Sequence, residues 1–349
     1  MYLPQYSNLV SLHNIYIYIY THTYIYELMS HKSENMATQP TSRFLLVSLL
    51  GFIYLLKLIL IPFLKWVYTV FLRPPINLHT YGSWVLITGA TDGIGKAFAV
   101  EFARRGFNLV LVSRNRAKLQ SVSNQIKSSF PITKIKTIPF DFSDSNLSSG
   151  VGFIQEAIEG LDVGILINNV GITYPEAMYF HEVDEKVWMN IVRVNLEGTT
   201  MVTRAVLPMM LERKRGAIIN IGSGAAIVVP SHPLYAIYAA TKAYVDQLSR
   251  CLYVEYKQFG IDVQCQVPLY VATKMVKRVA AIEKATVFIP SAEDYAAAGV
   301  GRIGFEPRCT PYWAHSLQWF FVQFLPDSIV DAWRLSIGIR RSQHLKSQI

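Results

Sequence analysis

A glycine-rich turn between an apolar strand and an amphipathic helix constrains the fold of this 349-residue chain more than any other feature. The letters WVLI, typical of a buried strand, precede the spacing Thr88-Gly89-x-x-x-Gly93-x-Gly95, and KAFAVEFARRG follows as a helix that ends at Gly106. Glycines in such a turn let a pyrophosphate approach the free N–H groups of the helix N-terminus. The segment predicts an α/β fold of the Rossmann-like, doubly wound type with a parallel sheet.

The strand after this helix carries a signal for cofactor choice at its end. The segment FNLVLVSRN ends in Ser113 and Arg114. Dinucleotide folds place an acidic residue here to bind a ribose 2′-hydroxyl, or an arginine to accommodate a 2′-phosphate. Because no carboxylate stands beside Arg114, the pattern favours NADP(H).

A long apolar run precedes the glycine turn. The stretch from Phe44 to Leu72 contains only two charged residues, Lys57 and Lys65. A membrane-spanning helix needs about 20 largely apolar residues, whereas a buried helix of a soluble protein is rarely apolar on every face. We therefore expect a membrane anchor, with Pro62 either inside one span or at the break of a re-entrant pair.

The first 35 residues contain the alternation IYIYIYTHTYIY, ahead of a methionine at position 36. As protein this is a strand pattern, but both faces would be apolar. As codons, repeated TA and CA dinucleotides translate into such runs. We expect residues 1–35 to be an upstream extension without function, and a genuine strand or a targeting segment stays the alternative. The expected domains are then 36–80, anchor and linker; 81–305, the NADP-binding catalytic domain; and 306–349, a C-terminal tail.

Net charge and cysteine spacing bear on other classes of function. The formal net charge is +9, but the positive residues are scattered and no nucleic-acid motif accompanies them, so we expect no nucleic-acid partner. An anionic cofactor and a lipid surface account for the excess. Cys251, Cys265 and Cys309 have neither metal-ligand spacing nor a disulfide framework. This predicts no metal site and a reducing compartment.

Polar residues also stand where the third and fourth strands end. IPFDFSD places Asp141 after the third strand, and VGILINNVG runs a fourth strand into Asn169 and Gly171. In open α/β sheets, ligands bind at the carboxyl ends of the strands. These residues are therefore candidates for the same site as the glycine turn.

The remaining motifs complete a recognisable set. WMNIVRVNLEGT brings Asn195 in a helix, GAIINIGSG ends a fifth strand at Ser223, and YAATK supplies Tyr238 and Lys242. Together with the glycine turn and Asn-Asn-x-Gly, this order resembles the short-chain dehydrogenase/reductase family over about residues 82 to 275. The resemblance implies a nicotinamide-dependent oxidoreductase.

The Tyr-x3-Lys spacing alone is weak, because it occurs three times: Tyr238/Lys242, Tyr253/Lys257 and Tyr270/Lys274. Position decides between them. Tyr238 follows the fifth strand on the helix entered from the ligand-binding edge, whereas Tyr253 lies some 20 Å further along the same helix at 1.5 Å per residue. We expect the other two pairs to be structural.

The family resemblance implies a role for each member of the catalytic set. Tyr238 would donate a proton to the substrate carbonyl, Ser223 would position that carbonyl, Lys242 would hold the nicotinamide ribose, and Asn195 would support a water relay to Lys242. A neighbouring ammonium favours a phenolate, so we also expect Lys242 to lower the pKa of Tyr238.

The resemblance implies a larger set of cofactor contacts. Asp141 would contact the adenine, although a helix cap is a rival role, and Asn169 mainly braces the sheet. Thr273 would contact the nicotinamide carboxamide, but Leu269 stands where the family usually has glycine. The candidate cofactor-binding residues are Gly89, Thr91, Gly93, Ile94, Gly95, Ser113, Arg114, Asp141, Asn169, Tyr238, Lys242 and Thr273.

The sequence around these motifs is similar to that of the membrane-bound very-long-chain 3-oxoacyl-CoA reductases, which are related to the type 12 17β-hydroxysteroid dehydrogenases. NLEGTTMVTRAVLPMM and GIDVQCQVPLYVATKM carry this resemblance, together with the anchor. It implies NADPH-dependent reduction of a long-chain 3-oxoacyl-CoA in the endoplasmic reticulum membrane, with the catalytic domain facing the cytosol. The implied partners are the condensing enzyme, dehydratase and enoyl reductase of the fatty-acid elongase.

Two other functions stay open, as does the role of the tail. The same fold could reduce steroid or sterol ketones, and a non-catalytic scaffold could keep the fold within the elongase. A complete proton-transfer set speaks against the scaffold. The aromatic segment 316–335 is expected to be a substrate-channel or interfacial helix, or a core helix. The terminal HLKSQI is an incomplete dilysine signal.

Overall fold

The computed structural model describes residues 40–346 and divides the chain into two compact units, one ending at Arg73 and the other starting at Pro74. The expected upstream extension and the last three residues of HLKSQI lie outside the described residues. The first unit ends before residue 80, so the linker expected there belongs to the second unit.

The described part of the first unit is one apolar helix, α1 (Pro40–Val67), which continues as a π-helical turn at Tyr68–Leu72. Pro62 lies inside α1 and does not end it. The stretch Phe44–Leu72 has 29 residues and a mean hydropathy of 2.6, and none of it is buried. At 1.5 Å per residue it is about 43 Å long, which exceeds the ~30 Å hydrocarbon core of a bilayer. By length and composition this helix can cross a membrane once.

A seven-stranded parallel sheet organises the second unit, which confirms the predicted fold class. The strand order is β3-β2-β1-β4-β5-β6-β7, so the order reverses between β1 and β4. Ligands bind at such a switch point in doubly wound sheets. The strands are β1 (Trp84–Thr88), β2 (Asn108–Ser113), β3 (Ile135–Pro139), β4 (Val163–Asn168), β5 (Gly216–Ile221), β6 (Ile261–Gln266) and β7 (Arg308–Cys309).

Helices cover both faces of this sheet. Along β1, Val85 and Ile87 face the core formed with the helices at 93–104, 116–129 and 292–300. Leu86 faces the helices at 147–158 and 198–212 on the other side. Such alternation follows from the period of two in a strand. The helices are α2 (Gly93–Arg104), α3 (Arg116–Ser129), α4 (Leu147–Ile158), α5 (Glu185–Val192), α6 (Gly198–Glu212), α7 (Gly224–Ile227), α8 (Ala236–Tyr256), α9 (Lys274–Ala280), α10 (Ala292–Val300), α11 (Trp313–Val322) and α12 (Asp327–Lys346).

The C-terminal segment belongs to the catalytic unit more closely than the expected boundary at residue 305 implies. The strand β7 pairs with β6 through Cys265 and Arg308, and Arg308 forms an ion pair with Asp246 of α8. No strand pattern is recognisable here, because β7 is only two residues long. The sheet therefore extends past residue 305.

The aromatic segment 316–335 divides between the two roles expected for it. Trp319 of α11 packs against a buried cluster formed by Val228, Cys265 and Val267. Phe321, Phe324 and Trp333, in contrast, are 60%, 67% and 53% exposed. The segment starts in the core and ends as an apolar surface around the turn between α11 and α12.

A buried chain of side-chain hydrogen bonds joins β4, β5 and α8. The Asn168 amide donates to Asn220 Oδ1 at 2.8 Å, and the Asn220 amide donates to Ser249 Oγ at 2.9 Å. Ser249 in turn donates to the Val245 carbonyl at 2.6 Å. All three side chains are almost fully buried. Each donor in this chain has an acceptor, which offsets the cost of burying it, whereas Asn168 Oδ1 has no partner in the described part of the chain.

The substitution Asn220→Ala should therefore lower the free energy of unfolding by about 2 kcal/mol, because it removes one buried acceptor of the Asn168 amide and the buried donor to Ser249 Oγ. Urea denaturation in detergent measures the change. Asn124→Ala is the matched control, since Asn124 accepts its bond from Gln120 on the exposed face of α3. An equal loss in both variants would contradict the role of the buried chain.

Candidate active site

The glycine turn after β1 adopts backbone conformations that favour glycine. Gly89 has φ +66° and Gly93 has φ +51°, both in the left-handed region. A Cβ on Gly89 would lie 2.9 Å from Asn169 Nδ2, and one on Gly93 would lie 3.2 Å from Thr273 Cγ2. The turn therefore has no room for larger residues.

The turn is braced from the next strand, β4. Asn169 Nδ2 donates to the carbonyls of Thr88 and Gly89 at 3.0 and 3.2 Å, and the Asn169 backbone N–H donates to Thr88 Oγ1 at 3.0 Å. A Cβ on Gly95 would lie 2.4 Å from the Gly89 carbonyl. Gly95 thus permits close packing of helix on strand and does not line the cleft described below, although it was expected to contact a cofactor.

The N-terminus of α2 faces the loop that follows β6. Asp92 caps α2 by accepting from the Gly93 N–H at 2.9 Å, and its other oxygen pairs with Lys274 at 2.8 Å. Thr273 caps α9, because its hydroxyl accepts from the Val276 N–H at 3.4 Å. The ion pair links the two walls of one cleft.

The far end of this cleft is basic. Thr91 and Ser113 are joined by a hydroxyl–hydroxyl bond of 2.9 Å, which holds the glycine turn against the end of β2. Arg114 and Lys118 both line the cleft beyond them. Asp141 also lines it, and its Oδ1 accepts from the backbone and the hydroxyl of Ser143 at 2.9 and 2.7 Å. These bonds order a turn, so the rival role as a cap for α4 is not what the structure shows for Asp141.

The cleft has a volume of about 690 Å³, within the range of sites for small molecules and cofactors. It runs from the basic end to the ends of β4 and β5, and its glycine cradle leaves backbone N–H groups of α2 open to a pyrophosphate. A nicotinamide dinucleotide fits this combination. The expected site residues that line the cleft are Gly89, Thr91, Gly93, Ile94, Ser113, Arg114, Asp141, Asn169, Ser223, Tyr238, Lys242 and Thr273.

Ser223 and Tyr238 meet at the other end of the cleft. Ser223 follows β5 and caps α7 by accepting from the Ala225 N–H at 3.2 Å. Tyr238 lies in the first turn of α8, where the Tyr174 hydroxyl accepts from the Ile237 N–H at 3.1 Å. Burial raises the pKa of Tyr238, and a hydrogen bond from Ser223 opposes this effect. At neutral pH the phenol therefore keeps its proton.

The structure does not show the expected effect of Lys242 on the pKa of Tyr238. Lys242 Nζ donates to the Ile221 carbonyl at 2.8 Å, at the end of β5. Burial lowers the pKa of Lys242 to about 8. Because the ammonium is itself desolvated and bound to a carbonyl, burial of Tyr238 dominates the pKa of the phenol.

Asn195 does not line the cleft but lies directly behind it. It sits in a π-helical turn, Arg193–Glu197, between α5 and α6. Its Oδ1 accepts from the Ile172 N–H at 2.8 Å, and its Nδ2 donates to the Ile172 carbonyl and to Thr241 Oγ1 at 2.9 and 3.0 Å. Asn195 thereby ties the segment after β4 to α8, next to Lys242.

The other two Tyr-x3-Lys pairs do not form a second site of this kind. Lys257 Nζ lies 5.6 Å from the ring centroid of Tyr253 and forms an ion pair with Asp262. In the third pair, α9 begins only at Lys274, so Tyr270 precedes the helix and the two side chains do not share a helix face.

Sequence reasoning missed two residues around the cleft. Lys118 stands four residues after Arg114, and this basic spacing at the start of α3 was a usable signal. His315 was not accessible to such reasoning, because it comes from α11, 45 residues after Tyr270. Its Nδ1 accepts from the Leu269 N–H at 3.4 Å, and its Nε2 lies 3.1 Å from the Tyr270 carbonyl. Burial lowers the pKa of His315 to about 4, so the ring is neutral and orders the loop after β6.

The fold and the cleft define an oxidoreductase that acts on the CH–OH/C=O pair with a nicotinamide cofactor. A profile of the family described as short chain dehydrogenase matches residues 83–284. The chain belongs to this family. A short-chain dehydrogenase from Sphingobium yanoikuyae, solved in complex with NADPH, has a similar structure, with a TM-score of 0.59 and 28% identity over 76% of this chain and 96% of that one.

Similar curated proteins fall into two groups. A very-long-chain 3-oxoacyl-CoA reductase-like protein of Arabidopsis thaliana is 64% identical over 84% of this chain and 94% of its own length. A very-long-chain 3-oxoacyl-CoA reductase of Mus musculus is 41% identical over 70% of this chain and 76% of its own. An inactive hydroxysteroid dehydrogenase-like protein of Homo sapiens is also 41% identical, over 72% of this chain and 74% of its own. Overall similarity at this level therefore does not by itself separate active relatives from inactive ones.

The buried ammonium of Lys242 should give the cofactor-free protein a measurable pH dependence of stability. With a pKa of about 8 when folded and 10.5 as the ordinary value, the unfolded state binds more protons between these two pH values. Stability therefore rises with pH in this window, by up to about 3 kcal/mol for this group. Lys242→Met removes this titration. The free energy of unfolding of the wild type should therefore increase relative to that of the variant from pH 8 to 10.5. Urea denaturation at each pH tests this, and a constant difference would contradict it.

Proposed function

We propose that this protein reduces very-long-chain 3-oxoacyl-CoA to 3-hydroxyacyl-CoA with NADPH, as a step of fatty-acid elongation. The observation that carries the proposal is the meeting of Ser223, Tyr238 and Lys242 at one end of a cleft whose other end suits a dinucleotide. The names of the Arabidopsis and mouse relatives supply the substrate class.

Each residue of the set has a task that follows from its surroundings. The bound nicotinamide supplies the hydride. Tyr238 holds its proton at neutral pH, because burial raises the pKa of the phenol, and it donates that proton to the C3 oxygen of the substrate. Ser223 bonds the same oxygen and positions it. Lys242 holds the ribose next to the nicotinamide, and Asn195 keeps the wall behind Lys242 in place.

The basic end of the cleft supports NADP(H) as the preferred cofactor. Arg114 and Lys118 line this end together, and both can bind the 2′-phosphate that distinguishes NADP(H). Asp141 lies at the same end and contacts the adenine in this proposal. The neighbour from Sphingobium yanoikuyae, solved with NADPH, agrees with the choice.

The apolar helix supports the proposed location in the endoplasmic reticulum membrane, with the catalytic unit facing the cytosol. Acyl chains of very long substrates dissolve in a bilayer, so an anchored reductase can take them up there. The exposed aromatic residues Phe321, Phe324 and Trp333 give the catalytic unit an apolar surface of its own. The elongase condensing enzyme, dehydratase and enoyl reductase are the proposed partners, since they supply and consume these thioesters.

Two rival functions are distinguished by one experiment. A reductase of steroid ketones would use the same Ser223, Tyr238 and Lys242, and the inactive human relative shows that a similar chain can lack activity. A scaffold, however, has no use for a complete proton-transfer set with its pKa values shifted by burial. The observations therefore favour a reductase.

Membranes that contain residues 36–349 should oxidise NADPH when given long 3-oxoacyl-CoA. Tyr238→Phe should lower this rate at least about a hundredfold, because the variant has no proton to donate. Tyr253→Phe is the matched control: it has the same spacing to a lysine but lies at the far end of α8, and it should keep the wild-type rate. The decrease in NADPH absorbance gives the rate of oxidation for the wild type and for both variants.

The outcomes separate the candidates. Turnover of an oxosteroid without turnover of the acyl-CoA would replace the proposal by the steroid reductase. If neither residues 36–349 nor the full-length chain turns over either substrate, the scaffold is favoured.

The cofactor proposal has its own test. Arg114→Ala should raise the KM for NADPH about tenfold and leave the KM for NADH unchanged, because it removes a charge-assisted hydrogen bond to the 2′-phosphate. Arg116→Ala is the control, since Arg116 is exposed on α3 and does not line the cleft. Equal changes for both cofactors would contradict the proposed role of Arg114.

A further inference from the structure

The segment between α9 and α10 contains a tight hairpin whose tip is apolar and exposed. Two backbone hydrogen bonds between Thr286 and Ile289, of 2.7 and 3.1 Å, close the hairpin. Its two-residue tip consists of Val287 and Phe288, whose side chains are 58% and 52% exposed. Large apolar side chains exposed together on an ordered turn are typical of a surface that binds a protein or a membrane.

Two side chains at α11 hold this hairpin in place. The Tyr312 hydroxyl, just before α11, donates to the Val287 carbonyl at 3.1 Å, and Gln318 Nε2 of α11 donates to the Phe288 carbonyl at 3.2 Å. Both carbonyls of the tip therefore have donors within the protein. The tip can leave water without leaving these two groups unpaired, which is a requirement for any backbone that enters lipid.

The exposed apolar surface continues through the turn between α11 and α12. No Asp, Glu, Lys or Arg occurs from residue 313 to 326. Gln318, which holds the hairpin, lies one helical turn before Phe321, and the rings of Phe320 and Phe324 pack edge to face with their centroids 5.0 Å apart. We call the exposed side chains of the hairpin and of this turn the apolar patch: Val287, Phe288, Phe321, Phe324, Leu325 and Trp333.

Chain connectivity indicates what faces the apolar patch. The apolar run of α1 ends at Leu72, and Leu78 is already buried in the core of the catalytic unit. The five residues between them span at most about 18 Å when fully extended. Because α1 can cross a bilayer, this short connection keeps the catalytic unit close to the bilayer surface. Lipid is the most abundant apolar partner at that place.

Charged side chains beside the patch also suit lipid. Lys284 is exposed two residues before the hairpin, and Arg278 is exposed on α9. Cationic side chains at the edge of an apolar surface can bind lipid phosphates while their stems lie along the acyl boundary. Asp327 is the only carboxylate from residue 313 to 330, and it lies in the first turn of α12, where the helix dipole stabilises a negative charge.

We propose that the apolar patch inserts into the bilayer that α1 crosses and holds the rim of the cleft at the bilayer surface. Met275 of α9 lines the cleft and is also exposed, so α9 forms part of this rim, and the hairpin begins six residues after α9 ends. This attachment is a second contact with lipid in addition to the span. Its consequence for catalysis rests on the proposed function: a long acyl chain reaches the cleft from lipid without crossing water.

Fluorescence quenching in vesicles tests the inference on the full-length chain. Phe288→Cys and Phe324→Cys, each combined with Cys251→Ser, carry a polarity-sensitive fluorophore. The vesicles consist of phosphatidylcholine and phosphatidylserine, with or without a lipid that bears a spin label near the top of its acyl chain. The spin label should lower the fluorescence at both positions at least about twofold, because interfacial side chains lie about 5–10 Å into the boundary between headgroups and acyl chains.

Two controls accompany this measurement. The wild-type chain labelled at Cys251, which is exposed on α8 away from the apolar patch, should not be quenched. The Cys251→Ser chain without an added cysteine corrects for label at the half-buried Cys309.

A second variant tests whether the tip must be apolar. With the fluorophore at position 324, Phe288→Asp should remove at least about half of the quenching, because a carboxylate is costly to bury in lipid. Phe288→Leu should keep the quenching. Water-like emission at positions 288 and 324 would overturn the inference. Emission typical of an apolar environment without quenching by the spin label would show that a protein covers the patch, and would overturn it as well. Neither measurement uses a substrate, so its failure is distinct from a failure of the proposed function.

Discussion

The hydrogen bonds between Asn169 and the glycine turn are the interaction on which the rest of the site depends. They join the ends of β1 and β4 at the point where the strand order reverses, and they hold Thr88 and Gly89 in place while α2 starts. Gly95 lets the helix approach the Gly89 carbonyl so closely that no side chain fits. The N-terminus of α2 is thus fixed at the switch point, where its free N–H groups can bind an anion.

Burial has a different consequence at the two ends of the cleft. At the basic end, Arg114 and Lys118 stay exposed, so their charges are screened and available to a phosphate. At the other end, burial lowers the pKa of Lys242 and raises that of Tyr238. Desolvation of this kind is unfavourable for the fold, but it keeps a proton on the phenol and strengthens each hydrogen bond in the site.

The C-terminal helices complete the site from outside the dinucleotide-binding core. His315 of α11 orders the loop that carries Leu269, where the family usually has glycine. Arg334 and Arg341 of α12 reach Tyr270 in the same loop. The dinucleotide half of the cleft is therefore built by local turns, and the substrate half by contacts between segments far apart in the chain.

The sequence determined the elements that local patterns encode. Short apolar runs predicted the first five strands, and an amphipathic pattern predicted α2. The glycine spacing predicted the turn, and an uninterrupted apolar run predicted a helix long enough for a membrane. These features depend on neighbours within a few residues, so one chain is enough to find them. The positions of Ser223, Tyr238 and Lys242 followed from the family resemblance, and the structure brings them to one cleft.

Tertiary structure alone decided what depends on distant partners. The strand β7 has too few residues for a pattern and exists because β6 offers it an edge. Lys242 bonds the Ile221 carbonyl and does not govern the pKa of Tyr238, since burial depends on the packing around both groups. The surroundings of Tyr270 were invisible for the same reason: its arginines stand 64 and 71 residues away, and only folding brings their charges to its phenol.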